Sequence, residues 1–245
     1  MAQHLKHIGF ILDGNGRWAT ASGQSRSSGH EEGAKTLQKM IKALGEKNIP
    51  FATFFVFSSE NWGRPQAEVN SLLTLLKRYL SKDFAEAQKN NVRVRIAGDM
   101  SPKSPLPKSL MRLLADIQTK TAENTGLTVT LCINYGGQDE IVRATKKLMG
   151  KVQTGALSPE DITPEIFKMH TDFADCPPVD LCVRTGGVQR LSNFVLWHLN
   201  YAEFYFSQTF WPAFDERELD SIIEDFQGRE RRFGKLSQNK LAVVD

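Results

Sequence analysis

Asp13, Gly14, Asn15, Gly16, Arg17 and Trp18 follow directly on the apolar run His7-Ile8-Gly9-Phe10-Ile11-Leu12. An acid, two glycines and an arginine at the exit of a short buried strand form an unusual place for charge. Glycines let the main chain turn sharply and approach a ligand closely, and successive amides in such a turn form an anion-binding nest. Asp13 can hold a metal ion there, and Arg17 can face a phosphate. Further polar stretches occur at 58–64, 134–137 and 184–192, and with Arg26 and His30 they add Arg64, Arg184 and Arg190. Guanidinium forks match phosphate oxygens, and a charge-assisted hydrogen bond contributes about 1.5–3 kcal/mol. Any one of these arginines reads more readily as a surface ion pair. As a set around one carboxylate, they point to a diphosphate-bearing substrate with one divalent cation.

The common phosphate motifs are missing. There is no Gly-x-x-x-x-Gly-Lys-[Ser/Thr] loop, and Gly14-Asn15-Gly16 lacks the third glycine of a dinucleotide fingerprint. No Asp-Asp-x-x-Asp run and no Gly-x-Ser-x-Gly elbow occur, which removes the aspartate-rich helical prenyl synthases and the α/β-hydrolases. After Pro65, Val69, Leu72, Leu73, Leu75, Leu76, Tyr79 and Leu80 form an apolar stripe wider than one helix face. Core packing accounts for most of it. Beside the phenylalanine-rich stretch 51–57, it can also wall a slot for a hydrocarbon tail behind the arginines.

The elements that must position these residues follow from hydrophobic periodicity. Strands are expected at 7–12, 51–57, 92–97, 127–133, 179–183 and 201–206. Helices are expected at about 30–47, 66–89, 105–123, 138–153 and 216–228, with 19–29 a loop or short turn and 192–199 helical. Ser158-Pro159 and Thr163-Pro164 mark two short helical pieces, and Asp215 with Glu218 forms a capping box for the last helix. This alternation predicts an α/β fold: one domain over 1–245 with a central, mainly parallel six-stranded sheet flanked by helices. Ligands in such sheets bind outside the carboxyl ends of the strands. The four polar stretches all fall there.

Composition narrows the classes. With 31 basic and 28 acidic residues the net charge is only +3, too little for a broad nucleic-acid-binding face, so no nucleic-acid partner is expected. The three cysteines, Cys132, Cys176 and Cys182, have no metal-ligand spacing, and their odd number argues against a disulfide framework. No stretch approaches the roughly 18 apolar residues of a membrane span, and no secretory segment is evident. A cytoplasmic location is expected.

The ordered motifs 7–18, Phe57-Ser-Ser-Glu-Asn-Trp62 with Arg64-Pro65, Asn134-Tyr-Gly-Gly137, Arg184-Thr-Gly-Gly187 with 190–194, and 229–234 resemble those of the cis-prenyltransferase (undecaprenyl diphosphate synthase) family. The likeness covers about residues 4–235, leaving 236–245 as a tail. It implies a homodimer with a hydrophobic tunnel between the sheet and two helices. The implied reaction adds isopentenyl diphosphate to an allylic diphosphate and forms a new Z double bond. Carried over by motif, Asp13 binds Mg2+, and Gly14, Asn15, Gly16, Arg17, Trp18, Arg26 and His30 hold the allylic diphosphate. Arg184, Arg190 and Ser192 hold the isopentenyl diphosphate. Ser58, Asn61, Trp62, Arg64 and Glu68 match a mobile segment beside the reacting carbons, with Ser58 and Asn61 joining Asp13 in catalysis. Arg232 and Gly234 match a carboxy-terminal motif that reaches the partner subunit, and the product passes to the membrane surface. The proton released on bond formation goes to the diphosphate itself or to the Asn61–Asp13 region.

The chain departs from that family's pattern at Val188 and Gln189, where a glutamate and often a histidine are usual. By resemblance, the histidine would share the metal with Asp13 and a glutamate matching Glu203. Three readings follow: a chain-elongating enzyme, a short-chain or branched coupling enzyme on the same scaffold, and a non-catalytic partner subunit. Retention of Asp13, Arg17, Asn61 and Arg190 weighs against the last.

Overall fold

The computed structural model describes residues 4–229, apart from the side chains of Asp83 and Phe84. Its six strands are β1 (His7–Ile11), β2 (Phe51–Ser58), β3 (Arg93–Ala97), β4 (Thr128–Tyr135), β5 (Leu181–Arg184) and β6 (Glu203–Phe206). They form one sheet in the order β3-β4-β2-β1-β5-β6, and every neighbouring pair is parallel. β1 is buried at all five positions, which explains an apolar run with no polar alternation. From β1 the chain leaves toward β2 on one side, and β5 later docks on the other. The carboxyl ends of β1 and β5 therefore flank a topological switch point, where open parallel sheets bind ligands.

Alternation along the strands divides the core. Phe10, Phe54, Leu131 and Ile133 pack under α2 (Arg26–Glu46), α3 (Gln66–Lys89), α4 (Lys108–Lys120) and α7 (Glu216–Gly228). Ile11, Cys132, Tyr135 and Cys182 face the other layer and meet Phe173, Phe194 and Leu199. Phe10 and Phe54 stack with centroids 5.1 Å apart, and fully burying each ring contributes about 1.5–3 kcal/mol. The three cysteines are buried and unpaired, and burial pushes the Cys182 thiol up to about 12, so it stays a protonated core residue. No described helix is long and apolar enough to cross a membrane.

The architecture matches the sequence expectation, with differences at the site-bearing ends. β2 carries a bulge between Phe55 and Phe57, leaving Val56 without a partner opposite it on β4. Most of the expected loop 19–29 is helical: α1 spans Asn15–Ala21, and α2 begins at Arg26, where Ser25 Oγ accepts from Ser28 N. The expected helix at 192–199 shrinks to a 3-10 turn at Leu196–Leu199, because Ser192, Asn193 and Val195 adopt left-handed backbone conformations. The short helical pieces occur as a 3-10 turn at Pro159–Asp161 and α6 (Pro164–Lys168), before which only Thr163 caps through its side chain. Asp215 Oδ1 caps α7 through Glu218 N, but the Glu218 carboxylate is bonded to Ser207 Oγ instead of closing the box.

α1 and α2 touch through glycine. A Cβ at Gly29 would lie 2.0 Å from the Asn15 carbonyl oxygen, so this close approach excludes any side chain. Helix propensity alone favours Gly29→Ala by up to about 1 kcal/mol. Overpacking against rigid main chain should outweigh that gain and destabilise the protein by about 1–3 kcal/mol. Equilibrium urea unfolding of Gly29→Ala checks the sign; a stabilised variant would show that α1 does not rest on this contact.

Candidate active site

The loop after β1 is held from several directions. Asp13 N donates to Thr185 Oγ1 at 3.0 Å, Thr185 Oγ1 donates back to the Asp13 carbonyl at 2.7 Å, and Trp211 N donates to that carbonyl at 3.0 Å. Gly14 sits at φ 108, and a Cβ there would meet the Phe210 ring at 2.7 Å, so the turn demands glycine. Helix geometry leaves the first amides of α1, at Asn15, Gly16 and Arg17, without intrahelical acceptors. All three residues line the cavity described below.

Asp13 is the hinge of the charge arrangement. Its Oδ1 pairs with Arg17 Nη2 at 3.0 Å and its Oδ2 with Arg184 Nη2 at 2.9 Å. The Arg184 side chain is only 5% exposed, whereas Asp13 keeps 28%. Arg184 Nη1 also donates to Ser192 Oγ at 2.8 Å and to the Arg190 carbonyl. That places Ser192 and Arg190, both exposed, at the rim above β5. Arg17 lies over the Phe210 ring, 5.1 Å from its centroid.

A second cluster bridges the helices. Glu68 Oε1 on α3 meets Arg64 Nη1 at 3.0 Å, Arg26 Nη2 at 3.4 Å and His30 Nε2 at 3.9 Å. Burial works against ionisation of Glu68, but Arg26 and Arg64 together outweigh it and hold its pKa below the usual value. Burial lowers the His30 pKa to about 4, helped by Arg64 and Arg26 and opposed by Glu68, so the imidazole is neutral near pH 7. His30 Nε2 and Arg184 Nε are both buried without hydrogen-bond partners in the protein. Both residues line the same cavity, where a ligand rich in oxygen acceptors would satisfy them.

That cavity has a volume of about 1100 Å³. Its polar mouth holds Asp13, Arg17, Arg26, His30, Arg184 and Arg190, with Ser58, Asn61, Arg64 and Ser192 beside them. Behind the mouth it becomes apolar, walled by Leu37 and Ile41 of α2, Leu72 and Leu76 of α3, and Val129 and Leu131 of β4. It continues to Val92 and Leu127 at the amino edge of the sheet. The slot expected between β2 and α3 thus gains α2 as a wall. Leu37 and Ile41 share the 3.6-residue period of ordinary core positions, so periodicity could not single them out.

Other expected residues fall at the rim or elsewhere. Trp62 Nε1 donates to Asn134 Oδ1 at 2.7 Å, which makes the 134–137 stretch a support for the 58–64 segment and not a wall of the cavity. Asn61 Oδ1 accepts from Ser58 N at 3.0 Å, folding that segment into a 3-10 turn at Ser59–Gly63. Trp18 is half-buried on α1 and does not line the cavity. Glu203 is not brought to Asp13. It opens β6 opposite Leu181, three residues before the Arg184–Phe206 pair, or roughly 10 Å of strand from the site edge. There it pairs with Arg229 at 3.1 Å. Among the described residues no group of three His, Cys, Asp or Glu side chains could hold a metal ion. Asp13 alone suits Mg2+ bound in the mode that takes one or two carboxylates and completes its shell with substrate phosphates and water. Arg232 and Gly234 lie outside the described residues. Thr185 and Asn193 lie in motifs quoted from the sequence, but the sequence alone assigns no role to them or to Phe210, because their contacts join distant segments.

A family profile described as "Putative undecaprenyl diphosphate synthase" matches residues 11–234. The chain is 45% identical over 240 residues to a ditrans,polycis-undecaprenyl-diphosphate synthase ((2E,6E)-farnesyl-diphosphate specific) of Vibrio cholerae, covering 98% of this chain and 95% of that protein. It is 45% identical over 229 residues to an isoprenyl transferase of Brucella abortus, covering 94% and 89%. Among solved structures, lavandulyl diphosphate synthase from Lavandula x intermedia, in complex with dimethylallyl diphosphate, superposes with a TM-score of 0.89 at 32% identity, covering 94% and 98%. A "probable undecaprenyl diphosphate synthase" from Campylobacter jejuni superposes with a TM-score of 0.79 at 37% identity, covering 95% and 100%.

The neutral state of His30 sets a pH dependence. Its folded pKa, about 4, lies below the unfolded value of 6.5, so the unfolded chain binds more protons between the two. Stability from this group is present above pH 6.5 and is lost as pH falls toward 4. His30→Gln should flatten that part of a stability–pH curve measured by urea unfolding. An unchanged slope would show that His30 protonates freely in the folded protein.

Proposed function

Because the chain belongs to the undecaprenyl diphosphate synthase family of prenyltransferases, we propose that it adds isopentenyl diphosphate to an allylic diphosphate such as farnesyl or geranyl diphosphate, giving a Z-polyprenyl diphosphate. The observation that carries the elongating form of this reading is the continuous cavity. A polar mouth beside the carboxyl end of β2, at Phe57 and Ser58, opens into an apolar interior that reaches Leu127 and Val129 at the amino end of β4. At about 1100 Å³ it exceeds the roughly 300–1,000 Å³ of ordinary ligand pockets. A ten-carbon product needs far less.

The residue roles are those that the motif resemblance implies, and the charge and position of the side chains support them. Arg17, Arg26, neutral His30 and the amides of Gly14, Asn15 and Gly16 receive the allylic diphosphate, its tail entering the apolar interior. Arg184, Arg190 and Ser192 receive the isopentenyl diphosphate. The allylic C–O bond breaks, a C–C bond forms to the isopentenyl alkene, and one proton leaves the new chain. Guanidinium groups already placed at the mouth stabilise the departing diphosphate without reorganising. Asp13 must release its arginine partners to take part, which hands Arg17 and Arg184 to phosphate oxygens. Asp13 would hold Mg2+, which when bound supplies further charge stabilisation to the leaving group. Ser58 and Asn61 lie beside the reacting carbons, and the proton goes to the diphosphate or the Asn61–Asp13 region. The working form is a homodimer in the cytoplasm, with the product passing to the membrane surface.

A second reading is head-to-middle coupling of two allylic diphosphates. It is favoured by Val188 and Gln189, and by the overlay on a lavandulyl diphosphate synthase bound to dimethylallyl diphosphate. Purified protein with Mg2+ and radiolabelled isopentenyl diphosphate, given dimethylallyl, geranyl or farnesyl diphosphate, should make long Z products from the farnesyl acceptor. Product from dimethylallyl diphosphate alone would replace the first reading with the second, and no turnover with either would leave a binding subunit. Asp13→Asn, which keeps an oxygen acceptor for the buried Arg184, should lower kcat on the order of 10²–10³-fold with the circular dichroism spectrum unchanged; a fully active variant would refute its role.

A further inference from the structure

We infer that Asn193 is a positioning residue that latches the loop carrying Arg190 and Ser192 to the segment carrying Ser58 and Asn61. The inference rests on the reaction proposed above. Asn193 bonds in three directions at once. Its carbonyl accepts from Gly137 N at 2.7 Å, its Oδ1 accepts from Gln138 N at 2.8 Å, and its Nδ2 donates to Glu60 Oε1 at 2.7 Å. Two of these bonds satisfy the first amides of α5 (Gly137–Gln153), which have no intrahelical partner. The third crosses to the Ser59–Gly63 turn that follows β2.

The loop needs such an anchor. Ser192, Asn193 and Val195 have φ values of 50°, 65° and 32°, a left-handed course that is costly for a β-branched residue such as Val195. A chain holds such conformations only where surrounding contacts over-determine them. Arg184 fixes the upstream part of the loop through Ser192 Oγ and the Arg190 carbonyl. Asn193 fixes it at the next residue, against the fixed end of α5. The asparagine amide suits the place because one oxygen accepts from the helix while one nitrogen donates to a carboxylate. Glu60 is a settled acceptor. Burial opposes its ionisation, but its hydrogen bonds, led by that from Asn193, lower its pKa below the usual value.

The consequence is geometric coupling. The residues that hold the isopentenyl diphosphate and those beside the reacting carbons lie at the end of and after β5 and β2, which are separated by β1. The Asn193–Glu60 bond ties their loops together across that strand. Misplacing reacting groups by even 1 Å can cost about 10²-fold in rate, so the latch should act on turnover more than on substrate capture.

A polarity swap tests this. Asn193→Asp keeps the acceptor for Gln138 N but removes the donor and sets a carboxylate against Glu60. In the double variant Asn193→Asp/Glu60→Gln, the new amide at position 60 donates to the new carboxylate at position 193. Two readouts are taken: steady-state kinetics with isopentenyl diphosphate varied at saturating farnesyl diphosphate, and hydrogen exchange of peptides covering 58–64 and 190–194. The single variant should lose about tenfold in kcat with KM for isopentenyl diphosphate changed by less than about threefold. Exchange should rise in both peptides, and the double variant should restore both readouts to within about threefold of the parent. A single variant that behaves as the parent, or a double variant no better than the single, overturns the latch. If the parent chain makes no product, the proposed reaction fails by itself. The latch is then judged on exchange alone: joint rise and rescue support it, and unchanged exchange rejects it.

Discussion

The Asp13–Arg184 ion pair is the constraint on which the rest of the site depends. A guanidinium as buried as that of Arg184 is tolerable only when charged and polar partners surround it, because removing one partner of a buried pair leaves an uncompensated charge. Asp13, Ser192 Oγ and the Arg190 carbonyl are those partners. To supply them, the loop after β1 must reach toward β5 and the loop after β5 must fold back over it. The Thr185 clamp on the Asp13 main chain and the left-handed course at 192–195 both serve that geometry. The pair stands over the switch point of the sheet, so the charge that we propose binds diphosphates also joins the loops of its two halves.

Behind this polar lid the protein leaves a gap where a globular core would normally close. α2 and α3 share polar contacts near their amino ends, through Ser27 with Ser71 and Arg26 with Glu68. Leu37, Ile41, Leu72 and Leu76 then line the cavity while packing at its border against the main core. Native interiors pack to crystal-like density, so a void of this size forfeits dispersion contacts that an ordinary core would make. The hydrocarbon tail of the proposed substrate would restore them, and apolar attraction along that tail would complement charge recognition at its head.

Much of this was legible in the sequence because parallel sheets place ligand-binding groups at strand ends. Asp13, Asn61, Arg64, Arg184 and Arg190 could be located once the strands were recognised, and the structure gathers them at one cavity mouth. Other features could not be read. Leu37 and Ile41 obey the same periodicity whether they face core or cavity. The apolar run through Phe194, Val195 and Leu199 resembles a helix, but tertiary contacts to Arg184, Glu60, Gly137 and Gln138 hold the segment before it in a left-handed course. Glu203 matched a family position, but strand register decides where it lies, and register puts it at the amino end of β6. Trp18 adjoins the loop in sequence, but the helical turn of α1 carries it away from the cavity.

The sheet order also dictates when the site comes into being during synthesis. β1 is a central strand, but its partner on one side, β5, emerges late: Asp13 and Arg184 are 171 residues apart. At about 5–20 residues per second, roughly 10–30 s separate their exits from the ribosome. Through that interval β1 can pair with β2 while its other edge stays open, an apolar strand with unpaired amides and carbonyls. The Asp13–Arg184 site therefore cannot be an early folding unit. Until β5 arrives, a nascent chain shows an open apolar strand edge beside the site proposed for the substrates.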